Sequence, residues 1–193
     1  TSNFVSYVDS GWLAIGLYVV KNAFPEELSA QAAALLEKMD FGFFYDDVEQ
    51  QMYHGYYTNV ECYAEYHYGA FYTEPRVVSY MAIGKGDAPL EHWFKMFRTF
   101  PQQYAWQQQR PIDRREKKYF GITTYGGYYE HAGKKYVPSW GGSLFEALMP
   151  TFVLPEKERA PEGLGLNDAV HTRIHIDYAL GELGYPVWGL SPS

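Results

Sequence analysis

The stretch Ser139-Trp140-Gly141-Gly142-Ser143-Leu144-Phe145-Glu146-Ala147-Leu148-Met149-Pro150 decides how the chain is read. Ser143, followed three residues on by Glu146 and flanked by apolar positions, is a capping box. Ser143 would accept from the Glu146 amide, and Glu146 would reach back to the Ser143 amide. That reading starts a helix after Ser143 and needs no function. A second reading makes Glu146 a reactive acid beside a site, with Trp140 as a ring to stack on and Gly141-Gly142 as backbone that a ligand can approach closely. The local pattern admits both readings, and the rest of the chain bears on the choice.

Other helix starts repeat the theme. V-D-S-G-W-L-A-I-G-L-Y-V-V-K predicts a helix capped by Asp9 or Ser10, so apolar from Trp12 to Val20 that it is expected to be an inner one. Pro25 is expected to open an amphipathic second helix. T-E-P-R-V-V-S-Y-M-A-I-G-K-G predicts a helix capped by Thr73, with Pro75 in its first turn and a stop at Gly84 or Gly86. P-L-E-H-W-F-K-M-F-R-T-F follows as its partner. N-D-A-V-H-T-R-I-H-I-D-Y-A-L-G-E-L-G predicts a long helix capped by Asn167 or Asp168 and ending at Gly184. Between them lie aromatic segments. Residues 40–57 read as extended chain or a hairpin, and residues 119–137 as short strands turning at Gly126-Gly127 and Ala132-Gly133. The run Arg114-Arg115-Glu116-Lys117-Lys118 reads as a solvated loop, and Gln107-Gln108-Gln109 is the one low-complexity tract. The fold class expected is mainly α, helix pairs with a small β-hairpin insertion.

With 193 residues, 47% of them hydrophobic, the chain can bury one sizeable core, and residues 1–193 are read as a single domain. A net charge of −7 argues against a general nucleic-acid binder, which needs a basic face. The one cysteine, Cys62, permits neither an internal disulfide nor a cysteine-based zinc site. No apolar run is long enough for a membrane span. The chain opens on Thr1 and not on Met, so it reads as a trimmed piece of something longer.

Aromatic residues make up 19% of the chain, and tyrosine leads with 19 copies. Tyrosine pairs an apolar face with a polar tip, which suits ligands that are flat on one side and hydroxylated at the edge, as sugars are. Asp9, Glu74, Glu146 and Asp168 each fall at a predicted helix start. Acids favour that position for capping alone. Yet Tyr68 and Tyr72 crowd the approach to Glu74, and Trp140 with two glycines precedes Glu146. Two carboxyl groups across a glycosidic bond are the machinery of glycoside hydrolysis, one protonated and one ionised. A helix start favours the anion, so an acid placed there needs burial or a neighbouring anion to keep its proton. Arg76, if it faced the same way, would oppose that. His171 and His175, four apart on one helix, could reach a metal, but Thr172 stands where H-E-x-x-H zinc helices carry Glu, so the pair is read as internal or cavity-lining. Ser143 lacks a nucleophile elbow.

The segments V-D-S-G-W-L-A, M-D-F-G-F-F-Y-D, T-E-P-R-V-V-S-Y-M-A-I-G-K-G, E-H-W-F, V-P-S-W-G-G-S-L-F-E-A-L-M-P and G-L-N-D-A-V-H-T-R-I-H-I-D-Y-A-L-G-E-L-G-Y-P-V-W-G-L-S-P-S together resemble the bacterial glycoamylase-like domain family. That family is related to endo-β-1,2-glucanases and to the transglycosylating domain of cyclic β-1,2-glucan synthases. The resemblance implies an (α/α)6 toroid, of which this chain would hold only part, incomplete at both ends, with the remainder of the toroid as its partner. It implies a bacterial glucan as substrate (the family label suggests α-glucans, the nearer relatives β-1,2-glucans), and no cofactor or obligatory metal. It places the catalytic pair at Glu74 and Glu146. It is compatible with substrate contacts from Asp9, Trp12, Tyr68, Tyr72, Arg76, Trp140, Asp168 and His171, and with a periplasmic or extracellular setting. The expectation is a glycoside hydrolase or transglycosylase acting on an oligo- or polysaccharide, with no nucleic acid and no membrane span. The alternatives are a non-catalytic carbohydrate-binding helical toroid and a helical scaffold without a ligand.

Overall fold

The structure, a computed structural model, describes residues 3–100 and 110–191. The glutamine tract 107–109 lies outside them. The chain divides into two compact units, Thr1–Gly69 with Val77–Trp93, and Ala70–Arg76 with Phe94–Ser193.

In the first unit a short strand β1 (Phe4–Ser6) runs directly into α1 (Tyr7–Ala23). The cap is Ser6, whose hydroxyl accepts from the Asp9 amide at 3.2 Å, so Asp9 lies in the first turn and does not cap it. A Cβ on Gly11 would come within 2.2 Å of Val78, so glycine is what lets α1 approach α3 (Arg76–Lys85) this closely. Tyr7, Ala14, Val78 and Ala82 are buried along that contact with Phe41, Phe44 and Met52. The Tyr7 hydroxyl lies 3.1 Å from Ser79 Oγ, and Ser79 Oγ lies 2.8 Å from His92 Nε2. Burial lowers the His92 pKa to about 4, so its ring is neutral. Leu13, Tyr18 and Val19 on the other side of α1 are exposed. Within its unit α1 is therefore not the enclosed inner helix that its composition suggests. The second helix, α2 (Ser29–Glu37), begins four residues after Pro25, behind a turn. β2 (Tyr45–Asp46) and β3 (Gln51–Met52) pair as a hairpin within residues 40–57, the segment read as extended chain or a hairpin. β4 (Gly55–Tyr57) lies between β1 and β5 (Cys62–Tyr63), with all pairings antiparallel. The expected helix after Pro89 shrinks to α4 (Glu91–Lys95).

The second unit is built on an antiparallel meander, β6 (Asp113–Tyr119), β7 (Ile122–His131) and β8 (Lys134–Tyr136). β6 is the segment expected to be a solvated loop. Six consecutive charged residues, Asp113 to Lys118, make it an edge strand that discourages pairing with other chains. The β6–β7 turn is Phe120-Gly121, with both residues at positive φ. Gly126-Gly127, expected as the turn, sits inside β7. Gly127 has φ 118°, and a Cβ there would lie 1.8 Å from the Asp113 carbonyl oxygen. After the meander come α5 (Leu144–Leu148), α6 (Glu156–Arg159) and α7 (Leu164–Ile176), which continues as one π-helical turn over Asp177–Glu182. Gly163 is at the α7 N-cap position, in place of Asn167 or Asp168. Asn167 instead pairs with Val137 through both its amide groups, at 2.8 and 2.9 Å, in the manner of a strand partner.

The fold class expected from the sequence is therefore corrected. With 44% helix, 20% strand and three small sheets among the described residues, the chain is not plainly a mainly-α toroid, and its β structure is no single hairpin insertion. The physical reason is twofold. Tyrosine-rich segments allotted to loops satisfy their backbone groups by pairing with one another, and several predicted helices start late or stop early.

Candidate functional site

The second unit carries three of the four helix-start acids that the sequence singled out, Glu74, Glu146 and Asp168. Ser143 is the N-cap of α5, and its hydroxyl accepts from the Glu146 amide at 3.4 Å. Half of the capping box is thus present. The Glu146 carboxyl is engaged otherwise. Its Oε2 is buried without a hydrogen-bond partner, and the Thr73 side chain gives the group a hydrogen bond. Burial, then the negative charge of Glu74, push the Glu146 pKa from 4.5 up to about 7, against the Thr73 bond that lowers it. This answers how an acid at a helix start can keep its proton. The first-turn amides are already occupied: Leu144 N–H donates to Leu190 O at 3.1 Å and Phe145 N–H to Ser191 Oγ at 3.0 Å. The field of the helix end is met by those acceptors, and desolvation and a neighbouring anion decide the carboxyl.

Glu74 is half-buried in the turn that precedes α3, two residues ahead of the helix. Its charge acts on Glu146, so the structure brings the two predicted acids within electrostatic reach. Arg76 closes the same turn. It is fully buried and meets Glu156 through two 2.8 Å bonds, Nε to Oε1 and Nη2 to Oε2. Its remaining N–H groups go to the carbonyls of Thr73 (3.2 Å), Glu146 (3.5 Å) and Ala147 (2.7 Å). The guanidinium thus holds α5 and the Glu74 turn together and has no donor left for a ligand. Tyr72 lies under it, 4.7 Å from ring centre to guanidinium, and donates to Asp168 Oδ1 at 2.6 Å. The Asp168 pKa is raised by its own burial and by Glu156, while the Tyr72 bond and Arg76 pull it down. Asp168 lies inside α7, one turn past its start, and faces this ionic cluster.

His171 and His175 follow on α7, with ring centres 4.9 Å apart. The His175 Nε2–H donates to the Gly142 carbonyl at 2.9 Å, which ties α7 to the glycine pair. His171 packs on Tyr72 and Tyr136, and burial, with smaller contributions from His175 and Arg76, lowers its pKa to about 4. Both Nδ1 atoms are buried without a partner. No group of three metal-ligating side chains is present among the described residues. Gly141 and Gly142 take φ of 68° and 80°, and a Cβ on either would meet nothing within 4 Å. Open space therefore borders the backbone just before Glu146. Trp140 stands half-buried beside it, edge-on to Phe100 at 6.0 Å. A groove of about 510 Å³ bounded by Leu148, Leu154, Glu156, Asp168, Thr172 and Ile176 also belongs to this unit. Neither Glu74 nor Glu146 lines it.

Asp9, Trp12 and Tyr68 belong to the first unit. Asp9 is exposed on α1 and its charge acts on His54, whose ring lies 4.7 Å from Tyr68 and 4.9 Å from Tyr66. Burial nonetheless lowers the His54 pKa. Trp12 is half-buried on the same helix. Sequence reasoning did not find Thr73 as a partner of Glu146, Glu156 as the counter-ion of Arg76, or Ser191 as an acceptor for α5. Each acts across a long separation in sequence, and only the local context of Thr73 and of Glu156, in E-K-E-R, carried any helix-start signal.

The chain is 29% identical over 164 residues to cyclic beta-(1,2)-glucan synthase NdvB of Rhizobium meliloti (strain 1021), a span covering 85% of this chain. It spans 5% of that protein's length. This similarity supports a relation to that family. No family model matches the chain. No helix is long and apolar enough to cross a membrane among the described residues.

Proposed function

We propose that this chain is part of an enzyme that cleaves or transfers glycosidic bonds of a bacterial β-glucan, with β-1,2-linkage favoured, and that Glu146 and Glu74 are its carboxyl pair. The observation that carries the reading is the state of Glu146: a half-buried carboxyl with one buried, unpartnered oxygen, its pKa raised toward neutral by desolvation and by the charge of Glu74. Such a group keeps its proton where an ordinary glutamate has lost it. It therefore serves as the general acid that donates to the leaving glycosidic oxygen. Glu74, ionised, takes the complementary part, either attacking the anomeric carbon or drawing a proton from an incoming hydroxyl. That hydroxyl is water in hydrolysis and a sugar in transglycosylation. Trp140 offers a stacking face, and the open backbone at Gly141-Gly142 admits a sugar ring. The similarity to a cyclic β-(1,2)-glucan synthase supports glucan over other glycosides, as do the motifs of the glycoamylase-like family.

Glu146→Gln and Glu74→Gln, made in the full-length protein and assayed on β-1,2-glucan for new reducing ends and for altered chain length, test this. Each is expected to lose at least about a hundredfold in turnover, the usual scale for a lost acid–base group. Near-normal turnover by either variant removes that residue from the pair. Glucan binding with no change in the glucan would leave only a carbohydrate-binding role.

A further inference from the structure

Two backbone segments meet on one nitrogen of Arg76. Its Nη1 donates to the Thr73 carbonyl at 3.2 Å and to the Glu146 carbonyl at 3.5 Å. The Thr73 carbonyl is held a second time, by the Arg76 amide at 3.1 Å, and Nη2 holds the Ala147 carbonyl at 2.7 Å. The turn ahead of α3 and the body of α5 are thereby fixed side by side. Thr73 is 1% exposed, so its hydroxyl needs a partner inside the protein. That partner is the Glu146 carboxyl. Glu146 Oε2 has no partner, so the bond falls on Oε1. The residue after Thr73 is Glu74, whose charge acts on Glu146. One dipeptide thus carries both the hydroxyl that orients the carboxyl and the anion that opposes its ionisation.

We propose that Thr73 is a positioning residue for the acid: by donating to Oε1 it keeps the proton of Glu146 on Oε2, the oxygen with no internal partner and so the one able to hand it on. The proposal rests on the reading of Glu146 as the general acid. When the proton passes to the leaving glycosidic oxygen, the Oε2–H bond breaks and its electron pair stays on the carboxylate. The Thr73 bond then becomes charge-assisted and strengthens as the charge develops. The charged and titratable groups around Glu146 are Glu74 and Arg76 from the same turn, Glu156 of α6 and Asp168 of α7 through Arg76, and His175 of α7 through the Gly142 carbonyl. Replacing Thr73 by Val removes none of them.

The test compares Thr73→Val and Thr73→Ser with the parent protein. The Glu146 and Asp168 carboxyls are followed by carbon-13 NMR, assigned by their loss in Glu146→Gln and Asp168→Asn. In Thr73→Val the Glu146 midpoint is expected to rise by about one pH unit, the scale of one hydrogen bond to a charged group. The Asp168 midpoint should stay in place. The high-pH limb of kcat/KM on β-1,2-glucan should move up with Glu146, and kcat should fall about tenfold with KM unchanged. Thr73→Ser, which keeps the hydroxyl, should restore all of these. Thr73→Ala, with the same expected shift, takes the place of Thr73→Val if that variant does not fold. An unmoved or lowered Glu146 midpoint overturns the proposal, and so does an equal movement of Asp168, the mark of a general disturbance of the cluster. A shift confined to Glu146 in a protein without glucan turnover upholds the hold of Thr73 on the carboxyl and removes the glucan reading.

Discussion

A buried carboxyl kept protonated near neutral pH should weaken the fold when it ionises, and replacing it should relieve that cost. Burial and Glu74 raise the Glu146 pKa from 4.5 to about 7. Between those pH values the folded chain holds a proton that the unfolded chain has lost, so stability falls as pH rises through that window and the full cost is present above about 7. At about 1.36 kcal/mol per pH unit the ceiling is about 3.4 kcal/mol. Glu146 is only half-buried, and solvent screening brings the expected cost down to about 1–2 kcal/mol. Glu146→Gln keeps the shape and abolishes the charge. By urea denaturation it should be more stable than the parent by about 1–2 kcal/mol near pH 8, a midpoint gain of about 0.5–1 M for an m-value of about 2 kcal/mol/M. Near pH 4, where both states of the parent carry the proton, the gain should vanish. Equal effects at the two pH values, or a loss of stability near pH 8, would refute the claim that Glu146 is a desolvated acid held against its preference for water. The same variant should be nearly inactive, so stability and turnover move in opposite directions, as expected where a site retains a strained group.

Arg76→Met alone should destabilise the second unit by about 3–5 kcal/mol, because Glu156 is left buried and unpaired; Arg76→Met with Glu156→Leu should recover much of that loss, measured by the same urea titrations as a double-mutant cycle. Gly165→Ala places a Cβ 2.6 Å from Lys157 Cα and 2.8 Å from the Glu156 carbonyl oxygen. It should force α6 away from α7, loosen the Glu156–Arg76 pair, and cost about 1–3 kcal/mol as an overpacked contact, read by thermal unfolding.

What was legible in the sequence was local. Ser143 ahead of Glu146 marks a helix start because a hydroxyl and an amide three residues apart meet without help from the rest of the chain, and α5 begins there. The Ala132-Gly133 turn could be read likewise, since both residues take the positive φ that a tight hairpin needs. The failures came where distant segments decide. Gly126-Gly127 looks like a turn, yet Gly127 is needed for close approach to the Asp113 backbone inside a strand. The charges of Arg114–Lys118 hide β6, since an edge strand with a solvated face shows no apolar alternation. Asp168 looked like a cap, but α7 starts four residues earlier, at Leu164, and the carboxylate is held by Tyr72, 96 residues away. The acid pair was nominated by its surroundings and by family resemblance. The desolvation that tunes Glu146 follows from packing, which no local pattern encodes.

Arg76 couples the acids to the integrity of their own scaffold. One guanidinium touches the Glu74 turn, the backbone of Glu146 and Ala147, the α6 carboxylate and the ring of Tyr72. None of these can detach singly without stranding a buried cation, so opening should be concerted. Amide protons of the Glu74 turn, α5 and α6 should then exchange with solvent at a common rate, and inactivation by mild denaturant should follow that shared rate in place of a gradual softening of the site.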